Sequence, residues 1–353
     1  MKTNRPFPRR PLARQMKGFS LIEFLVASTL SMIVLIAVSS GYFVSRQLSD
    51  TALARLNVQQ DLRNASNMIV RDARMAGSFG CFNMSAYPTT AVHESSSDTA
   101  AFNLIRPDQN SLVPVKQLPA ANMGFPDGFT AASEALVFQY GVGSASITNQ
   151  NSGGATLQIP AGDPLRSATA TTPLVFSSCG VLDRPATYTV VRNNDGLTIS
   201  NINPALSAEQ VASEFSVLRY TVNAYVVGTA GEQQGLFRFQ LADNGGWGNP
   251  QLLMPDIGSM DIEYGYVYCA NGGAASAVAS TGGETFEFTD TLKTGNDNEG
   301  NDVPTPALIR MTLNSGSMAV TTAASMAAGD VHIYNIDATV RGGNTCADRT
   351  ITI

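Results

Sequence analysis

The feature that most constrains this fold is an apolar run that begins at Phe19 and continues for 26 residues to Val44. A basic segment ending in Lys17-Gly18 precedes it, and one charged residue, Glu23, lies inside it. At about 1.5 Å per residue, a helix of this length reaches about 39 Å, against roughly 30 Å of bilayer hydrocarbon. The run is therefore predicted to be a helix that can span a membrane with some tilt.

Two ordinary interpretations of this run are open. A secretory signal peptide has an apolar core of about 7–15 residues and a small-residue cleavage site. Ala37-Val38-Ser39 fits such a site, but the core here is longer and contains an acid. A plain membrane anchor leaves Glu23 unexplained, because an ionisable residue inside a spanning helix is costly and is by default a functional hypothesis. A more specific interpretation must supply a partner for Glu23.

The residues Gly18-Phe19-Ser20-Leu21-Ile22-Glu23 resemble the processing site of type IV prepilins and pseudopilins. The resemblance implies that a membrane peptidase cuts between Gly18 and Phe19, and that Phe19 is then N-methylated. It also implies that Glu23, the fifth mature residue, meets the N-terminal amine of a neighbouring subunit in a filament. A carboxylate and an ammonium buried together offset each other's desolvation, and such a pair can set axial register.

Residues 1–18 are interpreted as a leader that this peptidase removes. They carry six basic residues and no acid, and their three prolines and lack of apolar periodicity predict no folded element. Their positive charge favours retention on the cytoplasmic side of the membrane. Met16 is an alternative start to Met1, and the sequence leaves that choice open.

The chain beyond the leader is acidic. Six of the 22 basic residues lie in the leader, which leaves 16 against 28 acidic residues and a side-chain charge of −12. A nucleic-acid-binding protein needs a basic face, so this composition argues against nucleic acid as a partner. The length of 353 residues suits a membrane segment followed by one large or two modest extramembrane units.

A second helical segment is predicted over residues 45–76. Apolar residues recur there at spacings of three and four, and charged residues such as Asp61 and Asp72 lie between them. This pattern is typical of an amphipathic helix, here continuous with the apolar one. Ser39-Ser40-Gly41 can loosen the helix without kinking it, and the glycines from Gly77 onward mark its end.

From residue 77 to residue 353 the pattern changes to short apolar or alternating stretches separated by turn signals, which predict strands. These stretches are residues 135–140, 156–159, 174–176, 187–191, 197–199, 215–227, 236–241, 252–253, 260–268, 307–313 and 331–340. Hairpin turns are predicted at 193–196 and 243–246, a short helix at 205–214, and long loops at 270–284 and 294–305. The predicted fold class is α+β, with one long N-terminal helix packed on an antiparallel sheet.

The order of motifs also resembles that of the PilW-type minor pilins. The resemblance includes Gly235-Leu236-Phe237-Arg238 and the segment ending in Glu263-Tyr264-Gly265, and it does not include residues 85–215. The matching segments are residues 74–81, 215–227, 235–238, 257–266, 307–313 and 336–344. The resemblance implies a minor subunit of a type IV pilus, which helps to form the complex that primes assembly and sits at the tip, beneath a large adhesin.

This family implies partners and a location. The partners are the other minor pilins, the major pilin, a tip adhesin and the prepilin peptidase/N-methyltransferase. Before assembly the chain would cross the inner membrane once, with a cytoplasmic N-terminus and a periplasmic C-terminal domain. After assembly it would lie in the pilus at the cell surface. A GspJ-type minor pseudopilin of a type II secretion system, or an adhesive module that uses residues 85–215, are the alternatives.

The implied domain organisation has four parts. Residues 1–18 are the cleaved leader, residues 19–44 the transmembrane or filament-core helix, and residues 45–76 the amphipathic half of the same helix. Residues 77–353 form the β-rich domain outside the cytoplasm.

The four cysteines, Cys81, Cys179, Cys269 and Cys346, all lie in the part expected outside the cytoplasm, where disulfides form. Their spacing contains no C-x-x-C motif of a zinc or redox site. Two bridges are therefore expected, and three connectivities are open. Cys81–Cys179 with Cys269–Cys346 is favoured, because each pair brackets a continuous region.

Nothing in the sequence indicates catalysis or a cofactor, and the chain is predicted not to be an enzyme. Its two histidines, His93 and His332, are not part of any recognisable catalytic motif. One weak calcium-site candidate clusters oxygen ligands around a glycine but lacks the full EF-hand pattern. Its ligands would be Asp297, Asn298, Glu299, Asn301 and Asp302.

Overall fold

The computed structural model describes residues 20–84, 92–94, 114–143, 145–193, 196–206, 208–212, 215–268, 285–293, 305–315 and 333–340. Two α-helices are present in this part of the chain, α1 (Leu21–Met75) and α2 (Ala208–Ala212). The first twelve strands are β1 (Ser78–Phe79), β2 (Phe82–Asn83), β3 (Val92–Glu94), β4 (Val115–Leu118), β5 (Phe129–Ala131), β6 (Ala135–Val142), β7 (Ser146–Asn151), β8 (Gly154–Gln158), β9 (Leu174–Ser177), β10 (Leu182–Arg184), β11 (Thr187–Arg192) and β12 (Gly196–Asn203). The remaining strands are β13 (Ser216–Ala230), β14 (Gln233–Gln240), β15 (Gln251–Pro255), β16 (Ile257–Tyr268), β17 (Thr285–Thr289), β18 (Leu308–Ser315) and β19 (Ile333–Thr339).

The helix α1 is continuous through Ser39-Ser40-Gly41 and crosses the boundary between two compact units, residues 1–57 and 58–353. In the first unit it is long and apolar enough to cross a membrane, and its side chains from Leu21 through Asp50 are exposed. In the second unit Ala65, Ile69 and Ala73 are fully buried. The first buried side chain of α1 is therefore Ala65.

A nine-stranded sheet packs on the buried face of α1, and β13 is its central strand. This 15-residue strand pairs with β14 and β9 and also with β6 and β5, all in antiparallel orientation. Successive side chains of a strand point to opposite faces, so β13 serves two cores. Tyr225 and Val227 join the core that contains α1, whereas Val222, Ala224 and Val226 join the opposite core.

The opposite core is rich in aromatic side chains. Phe125 and Phe129 lie against Phe239 at ring-centroid distances of 4.5 and 4.8 Å. Trp247, the only tryptophan in the sequence, is nearly buried and donates its Nε1–H to the Met123 carbonyl at 2.6 Å. This core packs against the face of the central sheet that points away from α1.

Two four-stranded antiparallel sheets and the two-stranded β1–β2 sheet complete the described fold. One has the order β11-β12-β8-β7 and covers a third core, and the other has the order β17-β16-β18-β19 and contributes Tyr264 and Met311 to the helix core. The pair β10–β3 is parallel, and the other described pairs are antiparallel. The α+β prediction is confirmed, and the division of the strands among several sheets is what the sequence does not reveal.

Each of the eleven predicted strand stretches overlaps an observed strand. The predicted turn at 243–246 is present, where the Ala242 N–H donates to the Gly246 carbonyl at 2.8 Å. The predicted short helix is α2, and β11 and β12 form the hairpin predicted around residues 193–196. Apart from residue 305, the loops predicted at 270–284 and 294–305 lie outside the described residues.

Candidate functional site

The described part of the chain begins at Ser20. Gly18 and Phe19, the two residues on either side of the predicted cleavage point, therefore lie outside it. The backbone N–H of Ser20 donates to Glu23 Oε2 at 3.1 Å, and α1 begins at Leu21. This contact is one half of a capping box, in which an acid three residues into a helix satisfies the N-cap amide. The acid also lies at the positive end of the helix dipole. Sequence reasoning missed this local role, although the S-x-x-E spacing of Ser20 and Glu23 signals it.

Three hydroxyl groups inside the apolar run are satisfied within the helix. Ser28, Thr29 and Ser40 donate their hydroxyl protons to the carbonyls of Leu25, Val26 and Ala37, each at 2.9 Å. Because these three hydroxyls already donate to carbonyls of the preceding turn, they can lie in a lipid or protein interior without an unpaired donor. These residues therefore fit an apolar environment, and Glu23 is the only charged side chain between Ser20 and Val44.

A second acid of α1, Asp72, is completely buried in the other unit and forms the centre of a polar network. Its Oδ1 accepts the Tyr140 hydroxyl proton at 2.9 Å. Its Oδ2 accepts the Tyr225 hydroxyl proton at 2.6 Å and an amide proton of Asn223 at 2.8 Å. These three donors come from β6 and β13, so the network joins the helix to the central sheet at a defined register.

Sequence reasoning placed Asp72 among the charges that separate the apolar positions, and that interpretation is wrong. Ala65, Ile69 and Asp72 are spaced by four and three residues, so they share one helix face. All three are fully buried. The spacing could have identified Asp72 as a buried acid, but it could not have identified the donors on the sheet.

Burial raises the pKa of Tyr140 and Tyr225 above their usual range, and the nearby negative charge of Asp72 adds to the effect. Both phenols therefore keep their protons at physiological pH and remain donors to the carboxylate. The guanidinium of Arg238 supplies a positive charge, with Nε 3.5 Å from Asp72 Oδ2. The network is thus a charge pair enclosed by neutral donors, which is the arrangement that a buried carboxylate requires.

A disulfide joins Cys81, in the β1–β2 turn, to Cys179, in the β9–β10 connection. The Ser177 hydroxyl donates to the Phe79 carbonyl at 2.5 Å beside it. The bridge closes a separation of 98 residues and fastens the segment that follows α1 to the central sheet. Cys269 and Cys346 lie outside the described residues, so their pairing stays a prediction.

The remaining candidate residues add no site to the described chain. His93 lies half exposed on β3, with Nδ1 2.6 Å from Asp183 Oδ1. His332 and the calcium candidate at 297–302 lie outside the described residues. Within the described ranges, no group of three or more His, Cys, Asp or Glu side chains is arranged to hold a metal ion.

Residues 13–39 match the family described as the prokaryotic N-terminal methylation motif. No curated protein and no solved structure matches the chain. The matched range includes Gly18, Phe19 and Glu23 and extends into the apolar half of α1. The match supports a type IV pilin-like or pseudopilin-like protein that is anchored in the membrane, processed by a prepilin peptidase and assembled with other pilins. It suggests a structural subunit rather than an enzyme.

Proposed function

We propose that this chain is a minor pilin of a type IV pilus, which acts in the priming of pilus assembly and as a structural subunit of the tip complex. The methylation motif at residues 13–39 is the observation that carries this proposal. Its position supports the proposal further, because α1 begins two residues after the proposed cut and presents an exposed apolar surface. A helix of this kind needs either lipid or other helices around it.

The proposed precursor crosses the inner membrane once, with residues 1–18 in the cytoplasm and the β-rich domain in the periplasm. The peptidase cuts after Gly18, and the new amine at Phe19 is methylated. Residues 19–44 then leave the bilayer for the filament core. There Glu23 meets the N-terminal amine of a neighbouring subunit, which offsets the cost of removing both charges from water.

Intact-mass and N-terminal analysis of the chain purified from its own host tests the proposed processing. We expect an N-methyl-phenylalanine terminus at residue 19. The matched control is Gly18→Ala, which should keep the leader and still insert into the membrane, because the apolar run is unchanged. A terminus near Ser40 would instead mean an ordinary signal peptide, and an uncut wild-type chain would mean a plain membrane anchor.

A minor pseudopilin of a type II secretion system is the alternative function, because the methylation motif is shared by pilins and pseudopilins. A chromosomal deletion distinguishes the two. Loss of surface pili and twitching, restored by the wild-type gene but not by the Gly18→Ala variant, is expected for the minor pilin. Normal piliation together with a loss of exoprotein secretion would establish the pseudopilin instead.

A role in adhesion at the tip would extend the proposed function. It would use the sheet β11-β12-β8-β7, which lies within the region from residue 85 to residue 215, where the resemblance to minor pilins is weak. Replacing the exposed Thr187 and Val191 of β11 with glutamate should preserve N-terminal processing and abolish surface adhesion of piliated cells. Unchanged adhesion would exclude this role.

A further inference from the structure

A cleft of about 300 Å³ lies beside the Asp72 network on the helix-facing side of the central sheet. Arg219 of β13, Arg238 and Gln240 of β14, Asn249, and Gln251 of β15 supply its polar lining. Arg238 is opposite Tyr225 and also opposite Gln251 in the strand register, so the lining spans three adjacent strands. Guanidinium and amide groups supply nearly all of its side-chain hydrogen-bond donors.

Arg238 is ion-paired with Asp72, but its Nε donor makes no hydrogen bond within the described part of the chain. The side chain is about nine-tenths buried, and among the described residues its Nε has no hydrogen-bond partner. Asp72 is the nearest carboxylate, but its Oδ2 lies 3.5 Å away and already accepts from Asn223 and Tyr225. A buried arginine of this kind calls for an acceptor, because most buried polar groups in proteins are hydrogen-bonded.

The other arginine of the cleft indicates which acceptor fits. Arg219 Nη2 donates to Asp243 Oδ1 at 2.7 Å, and Asp243 lies at the tight turn between β14 and β15, with 37% of its side chain exposed. A carboxylate from a turn therefore already sits on one guanidinium of the cleft. Because the Asp243 side chain is partly exposed, a second carboxylate can reach Arg219 and compete with Asp243 for it.

We propose that this cleft is a carboxylate-binding site, in which Arg219 and Arg238 hold the ligand and Asp243 is an internal competitor. Arginine is the side chain best suited to this task, since its planar fork of donors matches the two oxygens of a carboxylate. Gln240, Asn249 and Gln251 add neutral donors at the rim. The volume admits a small organic acid or a single acidic side chain of another protein, and the proposal does not depend on the function proposed above.

The test is a titration of the full-length chain in detergent micelles with succinate at constant ionic strength, followed by the NMR signals of the arginine Nε–H groups. We expect a saturable shift of the Arg238 signal. Arg219→Gln should weaken succinate binding by about tenfold or more, because it removes a charge-assisted contact. Asp243→Asn should strengthen binding, because it removes the competing charge.

Arg310→Gln is the matched control. Arg310 also bonds an acid, with Nε 3.0 Å from Asp337 Oδ1, but it lies on the exposed face of β18 and outside the cleft. Succinate affinity should be unchanged in this variant. A shift that does not saturate, or equal affinity in the wild type, Arg219→Gln and Asp243→Asn, would overturn the proposal.

The source of the carboxylate is distinguished by a second probe. A short glutamate-rich peptide is titrated in the same way, at matched carboxylate concentration. Tighter binding of the peptide than of succinate assigns the site to an acidic segment of another protein. Binding of succinate that is equal to or tighter than that of the peptide assigns it to a small organic acid.

Discussion

Glu23 and Asp72 are two acids on one helix, and they differ in how their charges are accommodated. Asp72 is fully buried and accepts hydrogen bonds from three side chains of the central sheet. Glu23 is exposed within an apolar run, and among the described residues its carboxylate accepts one bond, from the Ser20 amide. The partners of Asp72 lie in the same unit of the same chain, so this acid contributes to folding.

The comparison separates two uses of one helix. The half of α1 that carries Asp72 is fixed to a sheet by a polar network and by apolar contacts of Ala65, Ile69 and Ala73. The half that carries Glu23 presents apolar side chains on every side. Under the proposed function, the partner of Glu23 is the amine of another subunit. Substitutions at the two acids should therefore affect different measurements, stability at Asp72 and assembly at Glu23.

The largest effect on stability is expected for Asp72→Ala. This change leaves the Tyr140 and Tyr225 hydroxyls without their acceptor, removes one of the two acceptors of the Asn223 amide and leaves Arg238 without its counter-charge. Breaking a buried ion pair by removing one partner typically costs about 3–5 kcal/mol, and we expect a loss of that size. Denaturant unfolding of the full chain in detergent, followed by the fluorescence of Trp247, measures it.

Asp72→Asn is the control for this prediction, because it keeps the shape and one acceptor oxygen while removing the charge. It should destabilise the chain less than Asp72→Ala. A free energy of unfolding for Asp72→Ala within about 1 kcal/mol of the wild type would contradict the central role of the network.

The second effect concerns the disulfide that holds the segment after α1 to the sheet. Replacing both Cys81 and Cys179 with serine should lower the free energy of unfolding by about 2–4 kcal/mol, because the unfolded chain loses a long-range constraint. The matched variant, with serine at Cys269 and Cys346, tests the predicted second bridge by the same measurement. A non-reducing peptide map that joins Cys81 to either of these cysteines would contradict both pairings.

The sequence predicted the helix and most strands for a physical reason. When one face of a helix or strand is buried, its apolar residues recur with the period of that element, and a strand that is buried on both faces has a continuous apolar run. The sequences of β13 and β16 show one or the other of these patterns. It missed short strands such as β5 and β10, which have three residues each. Three residues carry too little pattern to identify, and their pairing depends on neighbours far away in the chain.

The candidate sites divide in the same way. Gly18, Phe19 and Glu23 form a local motif, so adjacent residues are sufficient to propose it. The hydrogen bonds of Asp72 draw on residues up to 153 positions apart, and Arg219 and Arg238 share a cleft only because β13 and β14 pair. Contacts of this kind exist only after folding, and one sequence does not encode them as a spacing.

A third prediction uses pH to test the donors of the network. The pKa of both Tyr140 and Tyr225 is raised from the ordinary value of 10.0, first by burial and then by the charge of Asp72. Their contribution to stability is therefore fully present below pH 10 and is lost as the pH rises above it, where the unfolded phenols ionise. Each phenol should lower the free energy of unfolding by about 1.4 kcal/mol per pH unit in that range.

Replacing both tyrosines with phenylalanine should lower stability at pH 7, because the bonds to the Asp72 carboxylate are lost, and should flatten the decline above pH 10. The exposed Tyr42, changed to phenylalanine, is the control and should alter neither quantity. If the double variant declines above pH 10 as steeply as the wild type, the two phenols are not the groups whose ionisation opposes folding.

The smallest effect on stability, and the largest on assembly, is expected at Glu23. Glu23→Gln keeps a side chain that can accept from the Ser20 amide but removes the charge, whereas Glu23→Ala removes both. Neither should change the Trp247 unfolding curve, since Glu23 lies in the other compact unit, and both should be cleaved after Gly18. If a partner's amine is the function of the acid, Glu23→Gln should co-purify with the other minor subunits as poorly as Glu23→Ala, because an amide cannot balance a buried ammonium. Co-purification of Glu23→Gln at the wild-type level, with loss only in Glu23→Ala, would show that helix capping and not charge pairing is the role of Glu23.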